Sequence, residues 1–267
     1  MSDPLIQCRI EDTIYHVTLN RPEKRNAINL DMVEELGRVM RDADKHPELR
    51  AIILSGEGPL FSAGVDVMSL VSGRAEAGDV NPGRWLRRVA DRLQDALYVM
   101  ESTELPVICA LHGHAIGLGL EVALACDLRV CTETCKLSIP EARLGLVADV
   151  GGTTRLSRTV GPSRAKDMLM TARPLDANEA LDWGLVNRVV ADGQHIAGAV
   201  ELAQQIAQNA PLAVGMAKLI IDQGDGTAKH TQLALERWAQ SLLITTEDVS
   251  EAMSAFLEKR PGEFKGK

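Results

Sequence analysis

The sequence is short of positive charge. Its 267 residues include 29 lysines and arginines against 37 aspartates and glutamates, which gives a formal net charge of −8. A surface for nucleic acid or for an anionic membrane would favour clustered lysine and arginine, so this composition argues against both kinds of partner. An anionic small molecule would need cations placed locally around its site.

Long apolar runs are missing as well. No stretch approaches the roughly 20 residues of a membrane span, and residues 1–9 lack the cationic start and apolar run of a signal peptide. We therefore expect a cytoplasmic protein without a membrane partner. Internal repeats and low-complexity segments are also absent, and a chain of this length with 45% hydrophobic residues predicts one main domain with a full core.

The five cysteines form an odd set. Cys131 and Cys135 have no second pair of cysteine or histidine at the spacing of a zinc site. Three cysteines lie in apolar runs that predict strands or helices, where a buried free thiol is the usual state. We expect free thiols and no metal.

Periodicity predicts an α/β layered core with parallel strands. Alternating apolar residues over 5–10 and 14–19 predict a β-hairpin. The predicted strands that follow are 51–54, 106–111, 128–131 and 186–190, and the helices between them are 30–43, 85–100 and 119–126. Residues 71–83 are rich in glycine, alanine and charge, and we expect a mobile loop there.

The last part of the chain is predicted to be wholly helical. Apolar residues recur at helical spacing over 199–207, 212–221, 233–244 and 249–257. We expect residues 1–195 to form the core that carries the site, and residues 196–267 to form a helical C-terminal region that serves as a lid or in oligomerisation.

Two short stretches carry the chemical information, Phe61-Ser-Ala-Gly-Val-Asp66 and Gly117-Leu-Gly-Leu-Glu121. Each follows an apolar run that predicts a strand, and each has glycine where the backbone must bend or approach a ligand closely. Such turns can offer free backbone N–H groups, so together they predict an anion-stabilising pocket. A single loop of this kind is more often only a turn from strand to helix. A dinucleotide-binding G-x-G-x-x-G would need glycine where Val122 stands.

With these stretches and four further motifs, the chain resembles the enoyl-CoA hydratase/isomerase family, the crotonase superfamily, across essentially its whole length. The further motifs are Asn20-Arg-Pro-Glu-Lys-Arg-Asn-Ala27, Ala125-Cys-Asp127, Pro140-Glu141 and Gly151-Gly-Thr153. The resemblance implies a crotonase-like ββα spiral core with a helical C-terminal trimerisation region, assembled as homotrimers stacked into hexamers. It also implies an acyl-CoA thioester substrate and neither a metal nor a redox cofactor.

The resemblance assigns roles to four positions. The backbone N–H groups of Val65 and Leu118 correspond to an oxyanion hole that holds a thioester enolate; relatives often have alanine and glycine there, so the larger side chains must point away. Glu121 and Glu141 match the two catalytic glutamates of the hydratases. Glu121 would orient or deprotonate water for attack at Cβ, and Glu141 would deliver a proton to Cα. Alone, a glutamate early in a helix would be explained by the helix dipole.

Asp149 has two interpretations. Hydratases usually have glycine at this position, whereas residues 145–151 resemble the dienoyl-CoA isomerases, in which carboxylates at Glu141 and Asp149 move protons along a conjugated acyl chain. The alternative is that Asp149 caps a helix beginning near Gly152.

Coenzyme A carries phosphates, and Lys24 and Arg25 provide cations near the first loop, although an exposed Lys24 is also explained by solvation alone. The resemblance places Arg25 and four more residues along the bound cofactor: Ala27, Ala63, Asp66 and Val67. It further matches Phe256 and Lys259 to a segment that reaches a neighbouring subunit's nucleotide. Phe256 as a plain core residue is the alternative.

Three functions follow. The first is a hydratase that converts 2-enoyl-CoA and water to 3-hydroxyacyl-CoA. The second is a dienoyl-CoA or enoyl-CoA isomerase that uses Glu141 and Asp149. The third is a noncatalytic crotonase-fold binding protein, which is disfavoured because each chemical position still carries a usable group.

Overall fold

A six-stranded sheet lies at the centre of the fold, in a computed structural model that describes residues 3–267. A second, smaller sheet of three strands lies beside it. The strands are β1 Ile6–Glu11, β2 Ile14–Leu19, β3 Ala51–Gly56, β4 Val107–Leu111, β5 His114–Ile116, β6 Leu128–Thr132, β7 Lys136–Ser138, β8 Leu175–Asp176 and β9 Arg188–Val190.

The large sheet has the order β1-β2-β3-β4-β6-β9 and the small one β5-β7-β8. In the large sheet β1 and β2 form the predicted antiparallel hairpin, and every later pairing is parallel. Strands β3, β4 and β6 are almost entirely buried, as continuous apolar runs in a covered parallel sheet should be. The predicted α/β core is therefore confirmed.

Eleven α-helices occur in residues 3–267. They are α1 Leu30–Ala43, α2 Val67–Glu76, α3 Pro82–Ser102, α4 Leu118–Leu124, α5 Thr154–Val160, α6 Pro162–Thr171, α7 Ala177–Asp182, α8 His195–Ala207, α9 Pro211–Gly224, α10 Lys229–Leu243 and α11 Glu247–Glu258. Short 3₁₀ helices span Pro22–Lys24 and Glu141–Leu144.

Helix α1 illustrates why these segments fold as they do. The side chain of Asn29 caps it by accepting a hydrogen bond from the Met32 N–H. Its apolar residues recur every three or four positions, and this face packs against α3 in the main core. The predicted bounds of this helix, 30–43, match those observed.

The prediction of a mobile loop over 71–83 is wrong. Residues 71–76 are the second half of α2, and α3 already begins at Pro82. The capping residues were the missed signal: Asp66 caps α2, whereas Asn81 caps α3 with proline at the first helical position. Only a short turn separates the two helices.

Parallel pairing places the ends of β3 and β4 at the same edge of the sheet. The chain leaves β3 toward residues 61–66 and leaves β4, through β5, toward residues 117–121. The two stretches predicted to form one pocket therefore start from neighbouring strands.

The C-terminal helices join the core at two places. Helix α8 packs against β3, β4 and β6. In α9, the buried Lys218 Nζ donates to the carbonyls of Met100 and Leu105 and lies 2.9 Å from an Asp127 carboxyl oxygen. Asp127 in turn accepts a hydrogen bond from the Val107 N–H at the start of β4. Asp127 therefore has a structural role, whereas the assignment of 196–267 to a lid or oligomerisation stays a prediction.

The described part of the chain contains no helix that is both long and apolar enough to cross a membrane. All five cysteines are free thiols; Cys8 is exposed and the other four are buried.

Replacing Lys218 with alanine should lower the free energy of unfolding by about 2–4 kcal/mol, because it leaves the Asp127 carboxylate without its cation in a buried position. Chemical denaturation monitored by circular dichroism measures this loss. The control is Lys45→Ala, which removes an exposed pair with Asp42 and should leave stability almost unchanged. Equal effects of the two changes would contradict the structural role of Lys218.

Candidate active site

The two predicted loops lie side by side. Ser62 forms a parallel bridge with Ala115 of β5, in which the Ser62 N–H donates to the His114 carbonyl and the Ile116 N–H donates to the Ser62 carbonyl, both at 3.1 Å. Farther along, a Cβ built on Gly64 would lie only 3.8 Å from the Leu118 nitrogen. Main-chain hydrogen bonds thus hold the two stretches together.

Asn26, which the sequence analysis did not identify, stabilises the first loop through hydrogen bonds to its carbonyls. Its side chain is fully buried, with Nδ2 within hydrogen-bond distance of the carbonyls of Glu57, Leu60 and Phe61. The Ser62 hydroxyl donates to the Asn26 carbonyl and accepts from the Gly64 N–H. The sequence signal was available, since Asn26 lies inside the first family motif.

Two main-chain donors are free where the loops meet. Within residues 3–267, neither the Val65 N–H nor the Leu118 N–H donates a hydrogen bond. The Leu118 side chain is buried in the core, whereas Val65 is partly exposed. The Leu118 side chain therefore turns into the core while its N–H at the start of α4 stays available.

Glu121 is the most buried carboxyl of the site, with 2% of its surface exposed. Its Oε1 accepts hydrogen bonds from the Gly152 N–H at 2.7 Å and the Val150 N–H at 2.9 Å. Burial raises its pKa most strongly, the two hydrogen bonds lower it, and the charges of Glu141 and Asp149 raise it again, so that the pKa of Glu121 is about 7.

Glu141 approaches the second loop at Gly117. This glycine has φ +50°, and a Cβ on it would overlap Oε1 of Glu141, so only glycine fits. Oε2 of Glu141 is buried without a hydrogen-bond partner in the described residues. Burial raises the pKa of Glu141, and the charge of Asp149 adds to the effect. Such an orphaned oxygen is a natural contact point for a substrate or water.

Asp149 precedes the residues that hold Glu121. It is exposed, and partial desolvation still raises the pKa of its carboxyl. The alternative that Asp149 caps a helix near Gly152 is wrong, because α5 begins at Thr154 and no side chain caps it. The Val150 and Gly152 N–H groups before this helix donate to Glu121. They are therefore not available to the Asp149 side chain.

Six of the eight residues predicted to contact coenzyme A belong to the first loop or its neighbourhood. Five of them lie around the first loop: Lys24 and Arg25 are exposed at the end of the 3₁₀ helix, the Ala63 N–H donates to the Arg25 carbonyl, and Ala27 and Val67 flank the same turn. The sixth, Asp66, faces the protein, where it caps α2 and lies 3.0 Å from Arg21. Burial opposes ionisation of Asp66, but these hydrogen bonds and this ion pair outweigh it and lower its pKa.

Phe256 and Lys259 lie at the end of α11. Phe256 is 80% exposed, so the alternative that it is a core residue of the subunit is wrong. Lys259 ends the helix in a left-handed conformation. The structure does not bring these two residues into contact with the first loop.

In residues 3–267, no group of three or more histidine, cysteine, aspartate or glutamate side chains is arranged to hold a metal ion.

Comparisons with known proteins show the family of this chain. The family Enoyl-CoA hydratase/isomerase matches residues 9–267. Short-chain-enoyl-CoA hydratase of Clostridium acetobutylicum is 38% identical over 253 residues, which are 94% of this chain and 93% of that protein. Carnitinyl-CoA dehydratase of Citrobacter koseri is 38% identical over 268 residues, or 95% of each chain.

The crystal structure of enoyl-CoA hydratase from Bacillus anthracis superimposes with a TM-score of 0.91 at 34% identity, covering 99% of this chain and 100% of that one. The structural match shows the crotonase fold that the motifs predicted. The chain belongs to the enoyl-CoA hydratase/isomerase family, whose members act on coenzyme A thioesters.

Replacing Glu121 with glutamine should stabilise the protein at high pH. The folded state holds a proton on Glu121 up to a pKa of about 7, whereas the unfolded carboxyl loses it near 4.5. Ionisation therefore costs stability progressively between these values and fully above pH 8. The glutamine Oε1 can still accept hydrogen bonds from both N–H groups, so the gain should be about 3 kcal/mol at pH 8 and nearly zero at pH 4.5.

Chemical denaturation at several pH values measures this difference. Glu236→Gln, at an exposed position of α10, is the control and should show no comparable dependence on pH. A Glu121→Gln effect of the same size at all pH values would contradict the raised pKa.

Proposed function

We propose that this protein is an enoyl-CoA hydratase, which adds water across the Cα=Cβ bond of a 2-enoyl-CoA. The observation that carries the proposal is a pair of glutamates beside the free Leu118 N–H. Glu121 lies in α4, which begins at Leu118, and Glu141 reaches Gly117 from the second 3₁₀ helix. Both have raised pKa values, and one oxygen of Glu141 is buried without a partner. Carboxyls in this state suit proton transfer near neutral pH.

The thioester oxygen is proposed to accept hydrogen bonds from the Val65 and Leu118 N–H groups. Attack at Cβ moves the electron pair of the double bond toward this oxygen, which becomes an enolate. The bridge between Ser62 and Ala115 fixes these main-chain donors in place. They can therefore stabilise the enolate charge without reorganising, and donors oriented in advance are what makes electrostatic stabilisation of a transition state strong.

Water is proposed to bind between the two glutamates. Oε1 of Glu121 is occupied by the Val150 and Gly152 N–H groups, which leaves Oε2 to receive the proton that water loses as its oxygen bonds to Cβ. Glu141 gives its proton to Cα as the enolate collapses. The net result is addition of H and OH, and proton exchange with solvent restores both carboxyls.

The coenzyme A part is proposed to lie along the first loop. Lys24 and Arg25 are exposed there and can meet its phosphates, while Ala27, Ala63 and Val67 offer main-chain and apolar contacts. Asp66 supports this surface indirectly, because its contacts with Arg21 and Ser69 fix the start of α2. Phe256 and Lys259 are proposed to reach the nucleotide of a neighbouring subunit.

Isomerisation is the second candidate, and Asp149 favours it. Its charge contributes to the raised pKa values of both Glu141 and Glu121, so the three carboxyls share one electrostatic environment. Glu141 would then remove a proton from one carbon of a dienoyl-CoA and Asp149 would return one to a distant carbon. No water is added in this reaction.

The protein is further proposed to be cytoplasmic and to assemble as trimers or hexamers. Large apolar side chains exposed in one subunit support the assembly, among them Trp238 and Leu242 on α10 and Leu257 on α11.

Incubation with crotonyl-CoA, and separately with a 3,5-dienoyl-CoA, tests the two functions. Hydration should raise the product mass by one water and bleach the enoyl-thioester absorbance. Glu121→Gln and Glu141→Gln should each lower kcat by about 10²- to 10⁴-fold, whereas Asp149→Asn should change it by less than about fivefold, since a residue outside the proton-transfer steps has little effect on them.

A shifted dienoyl chromophore at unchanged mass, abolished by Asp149→Asn, would replace hydratase with isomerase. Carnitinyl-CoA, which appears in the name of the Citrobacter koseri relative, is the third substrate to be tested. Binding of all three thioesters without turnover would favour the noncatalytic protein.

The main-chain donor can be tested with Leu118→Pro against Leu118→Ala. Both remove the buried side chain, but only proline removes the N–H, and Leu118 is the first residue of α4, where proline is tolerated. The proline variant should have a kcat about 10²- to 10³-fold lower than the alanine variant. Steady-state kinetics with crotonyl-CoA makes the comparison, and equal rates would exclude this N–H as an oxyanion donor.

A further inference from the structure

Gln94 and Glu101 of helix α3 contact the Glu121-binding loop and the first turn of α5, respectively. These residues are seven apart, or two turns, and so lie on one face of the helix. The Gln94 side-chain amide donates to the Asp149 carbonyl. The Glu101 carboxylate accepts two hydrogen bonds from the Arg155 guanidinium, from Nε to Oε1 at 2.7 Å and from Nη2 to Oε2 at 2.6 Å.

The third nitrogen of Arg155 points to the loop itself. The Nη1 of Arg155 donates to the Val150 carbonyl at 2.9 Å. The N–H of Val150 in turn donates to Oε1 of Glu121 at 2.9 Å. One residue therefore separates the guanidinium from the carboxylate. The side chains of Arg155 and Glu101 are 14% and 26% exposed, so this forked pair is more sheltered than an ordinary surface ion pair.

Gly151 makes this approach possible. It has φ +108°, and a Cβ on it would overlap Nη1 of Arg155. The chain thus carries glycine at the one point where the loop must pass over the guanidinium, and the neighbouring N–H groups, of Val150 and Gly152, face Glu121.

We propose that Arg155, held by Glu101, is a positioning residue that fixes the 149–152 loop so that its N–H groups reach Glu121. Its effect on turnover rests on the hydratase function proposed above. Arg155 makes no hydrogen bond to Glu121, so it acts through the loop.

The direction of the effect follows from the charges around Glu121. The acids that face it, Glu141 from the 3₁₀ helix and Asp149 from the loop, both raise its pKa, and the loop N–H groups oppose them. If the loop loosens, these hydrogen bonds weaken and the pKa of Glu121 rises further. The acid limb of the pH–kcat profile should then move upward by roughly 0.5–1 unit, with kcat at pH 7 reduced about two- to fivefold and KM changed less than about twofold.

Three variants and a matched control test the proposal. Arg155→Gln and Glu101→Gln break the pair, whereas Arg155→Lys keeps the charge but loses the fork that serves Glu101 and Val150 together. Arg158→Gln is the control: Arg158 belongs to the same helix, but it pairs with Asp225 at 2.6 Å and not with the 149–152 loop. Glu121 is titrated directly by ¹³C NMR of protein labelled at the glutamate δ-carbons, with its signal identified by comparison with Glu121→Gln.

We expect the Glu121 titration to move upward in all three variants, including Arg155→Lys at nearly unchanged melting temperature, and not in Arg158→Gln. An unmoved titration in Arg155→Lys and Glu101→Gln, or an equal shift in Arg158→Gln, would overturn the proposal. The titration needs no substrate, so a shifted Glu121 in a protein that hydrates no enoyl-CoA would support the positioning role and refute the hydratase function alone.

Discussion

The hydrogen bonds from Val150 and Gly152 to one oxygen of Glu121 are the contact on which the site depends. They join α4, which follows the second loop, to the segment before α5. A carboxylate buried this deeply is unfavourable without such donors. Because both donors are main-chain groups, the position of the charge is set by the path of the backbone, and every element that fixes this path contributes to the chemistry.

Much of the architecture could be predicted from periodicity and motifs. The bounds of α1 and β2 follow from apolar spacing alone. The two loops were paired in the prediction by their glycines and possible free N–H groups, and the structure brings them together because their strands are neighbours in a parallel sheet. The turn between α2 and α3 was misjudged, since small and charged residues hid a helix whose cap, Asp66, had been assigned to ligand binding. A helix cap is a single hydrogen bond between one side chain and one N–H, and the composition of a segment does not show whether this bond forms.

The supporting residues of the site were harder to predict than the carboxyls. Asn26 binds the carbonyl of Phe61, 35 residues along the chain, and Arg155 pairs with Glu101, 54 residues before it. A linear sequence does not show which distant group a side chain will reach. The interpretation of Asp149 as a helix cap was excluded only when the N–H groups before α5 were found on Glu121. A glutamate 29 and 31 residues away from these N–H groups is outside the range that local capping rules consider.

The ion pair between Lys218 and Asp127 also affects the order in which the chain folds. Its two ends are 91 residues apart, and the three groups that Lys218 contacts, Asp127 and the carbonyls of Met100 and Leu105, belong to the first half of the chain. During synthesis, the core strands emerge long before this cation does. Asp127 therefore stays unpaired until α9 docks, and the cooperative folding unit extends past residue 195 into the C-terminal helices.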